Sequence, residues 1–123
     1  MKLLEGVGID IIEISRIKDA IEKRKRFIGR IFTENEIDYC ISMKNCYQHF
    51  AARFAAKEAT IKALKKRLIW REVEFVNASE TNMIARFHGR AREIVGTRKV
   101  MVSISHCRSY AVAMAVLVTE GDS

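Results

Sequence analysis

Two carboxylates, a lysine and a histidine are the candidate catalytic residues of this sequence, judged by their types and by the residues around them. Asp10 lies among the aliphatic residues of GVGIDIIEI, and Glu58 and Lys62 lie in RFAAKEATIKA. A carboxylate in an apolar setting costs desolvation energy unless it is paired, protonated or bound to a cation. His106 follows the alternating segment VSIS and precedes a polar turn. Two carboxylates, basic side chains and a histidine suit a site that binds a cation and a phosphate group.

Mg²⁺ is commonly held by one or two carboxylates together with substrate phosphate. The cation then polarises a phosphoryl group, while basic side chains neutralise the remaining charge. Each residue also has an ordinary structural interpretation. Asp10 could be a carboxylate at a strand edge that faces water. Glu58 and Lys62 could be a solvated i,i+4 helix pair, and His106 a structural hydrogen-bonding group.

Motifs of several other chemistries are missing from the sequence. It has no GxSxG elbow and no GxxxxGK[ST] loop, and GVG is too short for a dinucleotide-binding motif. Cys40, Cys46 and Cys107 include no CxxC pair, which argues against a disulfide framework and structural zinc and favours a reducing cytosol. Because we find neither a signal peptide nor a long apolar run, we expect no membrane segment.

Composition and charge bound the possibilities further. The chain has 123 residues, of which 49% are hydrophobic and 30% charged, and it has no proline. These values predict one globular domain over residues 1–123. The net charge of +7 is concentrated in residues 16–30 and 53–71 and favours an anionic partner. A small nucleic-acid-binding domain is therefore an alternative, although no signature of one appears.

Hydrophobic periodicity predicts the elements that must position these residues. A strand is predicted over residues 3–14 and a helix over 16–25, with Ser15 as its N-cap. Thr33 and Glu36 form a predicted capping box that begins a short helix ending near Met43. The later predicted elements are strands over 72–77 and 83–88 joined by the turn NASETN, helical turns over 91–95, and strands over 100–105 and 110–118.

The longest predicted helix spans residues 47–66. One face carries large apolar residues (Phe50, Phe54, Ile61 and Leu64), and another carries six alanines that would let a second backbone approach closely. Glu58 lies at the seam between these faces, and Lys62 lies one turn beyond it. The predicted fold class is α+β, with an antiparallel sheet packed against this central helix.

Four segments in this order are GVGIDIIEISRI, RFIGRIFTENE, RFAAKEATIKAL and VSISHCRSYAVA, and they extend from about Gly6 to Val118. Together they resemble the holo-acyl-carrier-protein synthases, the small single-domain branch of the 4′-phosphopantetheinyl transferases. The resemblance implies transfer of 4′-phosphopantetheine from coenzyme A to a serine of apo-acyl carrier protein, in support of fatty acid biosynthesis. The other product would be adenosine 3′,5′-bisphosphate.

The resemblance also implies roles for individual residues. Asp10 and Glu58 match the family's Mg²⁺-binding carboxylates, and Lys62 matches a lysine that contacts the pyrophosphate and could help the leaving group. His106 matches a histidine near the phosphates of coenzyme A. Either Asp10 or a metal-bound water positioned by Glu58 could act as the base for the serine hydroxyl, and the sequence does not choose between them.

Further basic residues take roles in substrate binding by the same resemblance. Arg53 and Lys57 are candidates for contacts with the coenzyme A phosphates. Arg16 matches a basic residue of the helix that binds the acidic carrier protein. The predicted carrier-protein surface is extended by Lys23, Arg24, Arg26, Phe27 and Arg30.

The family resemblance leads to further expectations about assembly and partners. We expect a cytoplasmic homotrimer with active sites between protomers, and neither nucleic acid nor membrane as a partner. A second alternative is a protein that binds carrier protein through the Arg16 region without catalysing transfer.

Overall fold

The computed structural model describes residues 2–79 and 82–120 and has the expected α+β architecture. The elements in chain order are β1 (Lys2–Glu13), α1 (Ile14–Lys23), α2 (Phe27–Ile31), α3 (Glu34–Ser42), α4 (Cys46–Leu64), a 3₁₀ turn (Trp70–Glu72), β2 (Val73–Asn77), β3 (Met83–Phe87), α5 (Gly89–Val95), β4 (Lys99–His106) and β5 (Tyr110–Glu120). None of the helices in the described ranges is long and apolar enough to cross a bilayer.

The described residues form two antiparallel sheets beside the long helix. The larger has the strand order β1-β5-β4, and the smaller pairs β2 with β3. In the larger sheet Asp10 lies opposite Ala113 of β5, and His106 lies opposite Ala111. Helix α4 packs mainly on β1 and β5. Because alternate residues of a strand share a face, every second residue of β1 points toward α4.

The contact between β1 and α4 depends on small residues on both sides. A Cβ atom at Gly6 would lie 2.1 Å from the carbonyl oxygen of Ala63, and one at Gly8 would lie 1.9 Å from that of Ala59. The six alanines expected to permit a close approach are all buried, namely Ala51, Ala52, Ala55, Ala56, Ala59 and Ala63. The GVG segment therefore serves close packing.

The predicted capping box is present at the start of α3. The Thr33 hydroxyl accepts a hydrogen bond from the Glu36 amide at 3.2 Å, and the Thr33 amide donates to Glu36 Oε1 at 3.0 Å. This arrangement satisfies two amides that would otherwise lack partners at a helix N-terminus. It also holds the Glu36 side chain in the interior, where that residue is 1% exposed.

The first two helices differ locally from the prediction. Ser15 is not the N-cap of α1, because the helix begins at Ile14 directly after β1, and the N-cap residue Glu13 makes no side-chain cap. The short helix α2 was not predicted, since five residues are too few to show a helical period. The predicted turn NASETN includes Glu80 and Thr81, which lie outside the described residues.

We expect Gly8→Ala to lower the free energy of unfolding by about 2–3 kcal/mol, because the added methyl group forces β1 away from α4. Chemical denaturation measures this loss. Gly29→Ala is the matched control. A Cβ at Gly29 meets no atom of the described residues within 4 Å, and alanine is the better helix former. Equal losses in the two variants would contradict the steric explanation.

Candidate active site

β1 and α4 bring Asp10, Glu58 and Lys62 together, and we call these three residues the β1–α4 cluster. Lys62 Nζ donates hydrogen bonds to Asp10 Oδ1 at 3.3 Å and to the carbonyl oxygen of Ile9 at 3.0 Å. The Asp10 side chain is 15% exposed and that of Lys62 is 53% exposed. Asp10 is thus mostly buried and paired with Lys62. The cluster is accessible to solvent at Lys62.

Partial burial disfavours ionisation of both carboxyl groups of the cluster, and the negative charge of Asp10 further disfavours ionisation of Glu58. Partial burial raises the pKa of Asp10, and the hydrogen bond and charge of Lys62 oppose that shift. Partial burial and then the negative charge of Asp10 raise the pKa of Glu58, again opposed by Lys62. A bound cation would relieve this repulsion and favour both ionised forms.

The donor set of the β1–α4 cluster fits a divalent cation that shares its coordination with a substrate. Asp10 and Glu58 supply two carboxylates, which is the usual protein contribution to a Mg²⁺ site. No group of three or more His, Cys, Asp or Glu side chains converges within residues 2–79 and 82–120. The remaining ligands of a cation at this position would therefore be water or phosphate oxygens.

His106 lies away from the β1–α4 cluster within one chain. Strand β5 separates β4 from β1, and His106 lies two register positions along from Asp10. Strand spacings of about 4.8 Å and a rise of about 3.3 Å per residue place their Cα atoms roughly 12 Å apart. In the described part of the chain, His106 forms no hydrogen bond or ion pair with the cluster. It instead lines a hollow of about 320 Å³ beside Ile11, Tyr110 and Val112.

Lys57 and Arg53, the other two residues predicted to contact phosphate, are buried. Lys57 is fully buried and pairs with Glu36 at 2.8 Å, and it also donates to two backbone carbonyl oxygens. Arg53 is 3% exposed, donates to Asn77 Oδ1, and lies over the Tyr39 ring at 4.3 Å. Neither cation faces the surface, so the prediction that Lys57 and Arg53 contact phosphate receives no support from their positions.

The predicted carrier-protein surface forms a hollow of about 340 Å³ between α1 and α2, which we call the α1–α2 hollow. Four of the six predicted residues line it: Arg16, Lys23, Arg24 and Phe27. Arg26 and Arg30 are exposed nearby on the turn before α2 and on α2 itself.

An aromatic stack lies beside the α1–α2 hollow. The Phe27 ring stacks on Phe54 with centroids 6.3 Å apart, and Phe54 stacks on Trp70 at 5.1 Å. Trp70 was not predicted to take part. Trp70 reaches the stack through its tertiary contact with Phe54. In the sequence, only its aromatic side chain could have indicated a place in this surface.

A second basic hollow was not predicted from the sequence. It lies at the N-terminus of α4, has a volume of about 530 Å³, and is lined by Lys18, Lys44 and Arg108 among others. These residues come from distant segments, so their sequence positions do not reveal the site. The only local indication was that Arg108 follows His106 in the β4–β5 turn.

Comparison with known proteins gives the family of the chain. The family model described as the 4′-phosphopantetheinyl transferase superfamily matches residues 6–115. The chain belongs to this superfamily. Among its relatives, the holo-[acyl-carrier-protein] synthase of Ruminiclostridium cellulolyticum is 47% identical, over 95% of this chain and 93% of its own. That of Chlamydia caviae is 45% identical, over 89% and 93%.

Solved structures of the superfamily share the fold. The Bacillus anthracis holo-(acyl-carrier-protein) synthase in complex with CoA (3′,5′-ADP) is 33% identical, with a TM-score of 0.81 over 95% of this chain and 98% of that one. The Helicobacter pylori synthase in complex with coenzyme A is 27% identical, with a TM-score of 0.79 over 90% and 98%. These comparisons confirm both the predicted resemblance and the predicted fold class.

We expect Glu58→Gln to raise the thermal unfolding midpoint when divalent cations are absent. Because the folded-state pKa of Glu58 is raised, the folded chain binds its proton more tightly than the unfolded chain does, and stability falls as pH rises through the carboxyl range. At about pH 7 the ionised group therefore destabilises the fold, and the difference between wild type and variant should shrink toward about pH 4. Added Mg²⁺ should raise the midpoint of the wild type only.

Glu93→Gln is the control for this prediction, because it removes the same charge from the exposed surface of α5. Thermal denaturation in EDTA and in Mg²⁺ compares the three proteins. If both variants unfold at the same midpoint, net charge and not the β1–α4 cluster explains the change.

Proposed function

We propose that the protein is a holo-acyl-carrier-protein synthase that transfers 4′-phosphopantetheine from coenzyme A to a serine of apo-acyl carrier protein. The observation that carries this proposal is the convergence of Asp10, Glu58 and Lys62 at the contact between β1 and α4. Membership of the 4′-phosphopantetheinyl transferase superfamily and the close synthase relatives support it. In the reaction the serine oxygen bonds to the phosphorus that bears pantetheine. The bond from that phosphorus to the bridging oxygen breaks, and adenosine 3′,5′-bisphosphate leaves.

Each residue of the β1–α4 cluster has a defined task in this proposal. Asp10 and Glu58 would hold a divalent cation, for which we propose Mg²⁺, and that cation would supply electrostatic stabilisation of the phosphoryl group. An ammonium group has three donors, and Lys62 Nζ uses two on Asp10 and the Ile9 carbonyl, so one remains for a pyrophosphate oxygen. The serine proton passes to Asp10 or to a water held by Glu58.

The α1–α2 hollow is the proposed docking site for the acidic carrier protein. Arg16, Lys23 and Arg24 around Phe27 combine positive charge with an apolar contact. Charge complementarity of this kind speeds encounter and fixes the orientation of a partner. The three free cysteines, Cys40, Cys46 and Cys107, support our assignment of the protein to the reducing cytoplasm.

We further propose that the chain acts as a trimer with active sites between protomers. The face of the larger sheet that points away from α4 exposes long apolar side chains: Val7 is 52%, Ile9 61%, Ile11 64%, Met101 50% and Met114 46% exposed. A contiguous apolar surface of this kind favours burial against another chain. His106 ends β4 near this face and lines a hollow together with Ile11, and we propose that association places His106 of one copy near the β1–α4 cluster of another.

Mass spectrometry of apo-acyl carrier protein incubated with the enzyme, coenzyme A and Mg²⁺ tests the proposed function. We expect the carrier protein to gain the mass of one phosphopantetheine on its serine. Asp10→Ala should abolish the gain while the circular dichroism spectrum stays that of the wild type. Absence of transfer by the folded wild type across a panel of carrier proteins would refute the function.

The same assay separates the proposal from its two alternatives. Arg16→Ala should raise the KM for carrier protein while leaving the KM for coenzyme A unchanged within about twofold. A carrier-binding protein without activity would bind carrier protein and give no product. A nucleic-acid-binding domain would bind nucleic acid with salt dependence and show no selective loss at Arg16.

We expect Ile9→Arg to convert the trimer to monomer, because a buried guanidinium without a partner opposes association through the sheet. Analytical ultracentrifugation measures the mass. Ile41→Arg is the matched control, since Ile41 on α3 is 63% exposed and lies outside the sheet. A wild-type monomer, or an unchanged mass for Ile9→Arg, would exclude this interface.

A further inference from the structure

Lys57 is a fully buried cation that the proposed mechanism does not use. Its Nζ donates to Glu36 Oε1 at 2.8 Å, to the Trp70 carbonyl oxygen at 3.0 Å and to the Val73 carbonyl oxygen at 2.5 Å. An ammonium group has three hydrogens, so these acceptors use all of them. Lys57 therefore joins α4 to α3, to the 3₁₀ turn and to β2 at a single atom.

The acceptor side of this junction is itself held rigidly. Glu36 Oε1 also accepts the Thr33 amide at 3.0 Å, and Oε2 accepts the Phe75 amide at 2.9 Å. Both carboxylate oxygens of Glu36 are thereby fixed to the start of α3 and to β2. A buried ion pair satisfied in this way constrains geometry, whatever its net contribution to stability.

On the opposite side of α4, the half-exposed Lys62 is a polar link to β1, and the buried packing of the described residues there involves only small side chains. That side meets β1 through alanines and glycines, where Gly6 and Gly8 face Ala63 and Ala59. Small residues permit close approach but supply no large side chains that interlock with the neighbouring strand. The rotation of α4 therefore depends on contacts made elsewhere on its circumference.

Glu58 directly follows Lys57, so its direction is set by the same turn of helix. Successive helix residues are separated by about 100°, and a small rotation of α4 moves the Glu58 carboxylate relative to Asp10 on β1. The Trp70 carbonyl that Lys57 holds belongs to the residue whose ring stacks on Phe54. One buried atom is thus linked to both the β1–α4 cluster and the aromatic stack beside the α1–α2 hollow.

We propose that Lys57 is a positioning residue that fixes the rotation of α4 so that Glu58 faces Asp10, and that it does not contact coenzyme A. This inference rests on the proposed transferase function, because it assigns Lys57 a task in that site. It also gives a reason for a lysine at a position where burial of a charge is costly.

The test compares Lys57→Met with the double variant Glu36→Gln/Lys57→Met. The single variant leaves the Glu36 carboxylate buried without its counter-ion, which is strongly destabilising. The double variant removes both charges and should recover most of the thermal unfolding midpoint. Each protein is assayed at a temperature at which it keeps the wild-type circular dichroism spectrum. Lys99→Met, an exposed lysine of β4, is the matched control and should behave as the wild type.

For the folded double variant we expect kcat to fall between about 10-fold and 100-fold with the KM for coenzyme A within about twofold of the wild type. Binding of Mn²⁺, measured by electron paramagnetic resonance without substrate, should weaken about 10-fold. A raised KM for coenzyme A with kcat retained would show a direct phosphate contact and overturn the proposal. Wild-type kcat and Mn²⁺ affinity in the double variant would also overturn it, because Lys57 would then serve stability alone.

The two proposals can fail separately. If the wild type transfers no phosphopantetheine at all, the proposed function fails, and the Mn²⁺ comparison still tests whether Lys57 orients the carboxylates. If the wild type is active and the double variant matches it, only the positioning role fails.

Discussion

The backbone of β1 lies so close to α4 that no side chain fits between them at Gly6 and Gly8. Asp10 is the next residue after Gly8 on the same face of the strand, and unlike the two glycines it carries a side chain toward the helix. Its carboxylate accepts a hydrogen bond from Lys62, and its charge raises the pKa of Glu58, because the backbones are already close. The position of the candidate active site thus follows from a packing constraint that contains no catalytic residue.

This arrangement places like charges where solvent is partly excluded. Asp10 and Glu58 each have a raised pKa, so their ionised forms destabilise the folded state. The ionised forms are also the ones that would bind a cation. The surrounding structure compensates through the close alanine and glycine packing and through the satisfied polar interior around Glu36. Destabilised functional sites held by a stable scaffold are common in enzymes.

The sequence predicted features that depend on near neighbours along the chain. The Thr33–Glu36 capping box and the position of Glu58 at the seam of α4 follow from fixed local spacing. Lys57 and Arg53 were assigned to phosphate by the family resemblance and their place on α4, which do not reveal what surrounds their side chains. Their partners, Glu36 and Asn77, come from other elements, and only the tertiary fold brings them together.

The place of His106 depends on strand order, which local sequence does not reveal. With β5 between β4 and β1, His106 and Asp10 are separated by two strand spacings, or about 10 Å across the sheet. A side-chain rotation cannot close that gap while both strands stay paired to β5. His106 therefore makes no direct contact with the β1–α4 cluster of its own chain. The register instead places His106 opposite the buried Ala111, one strand away from the residue pair Asp10 and Ala113.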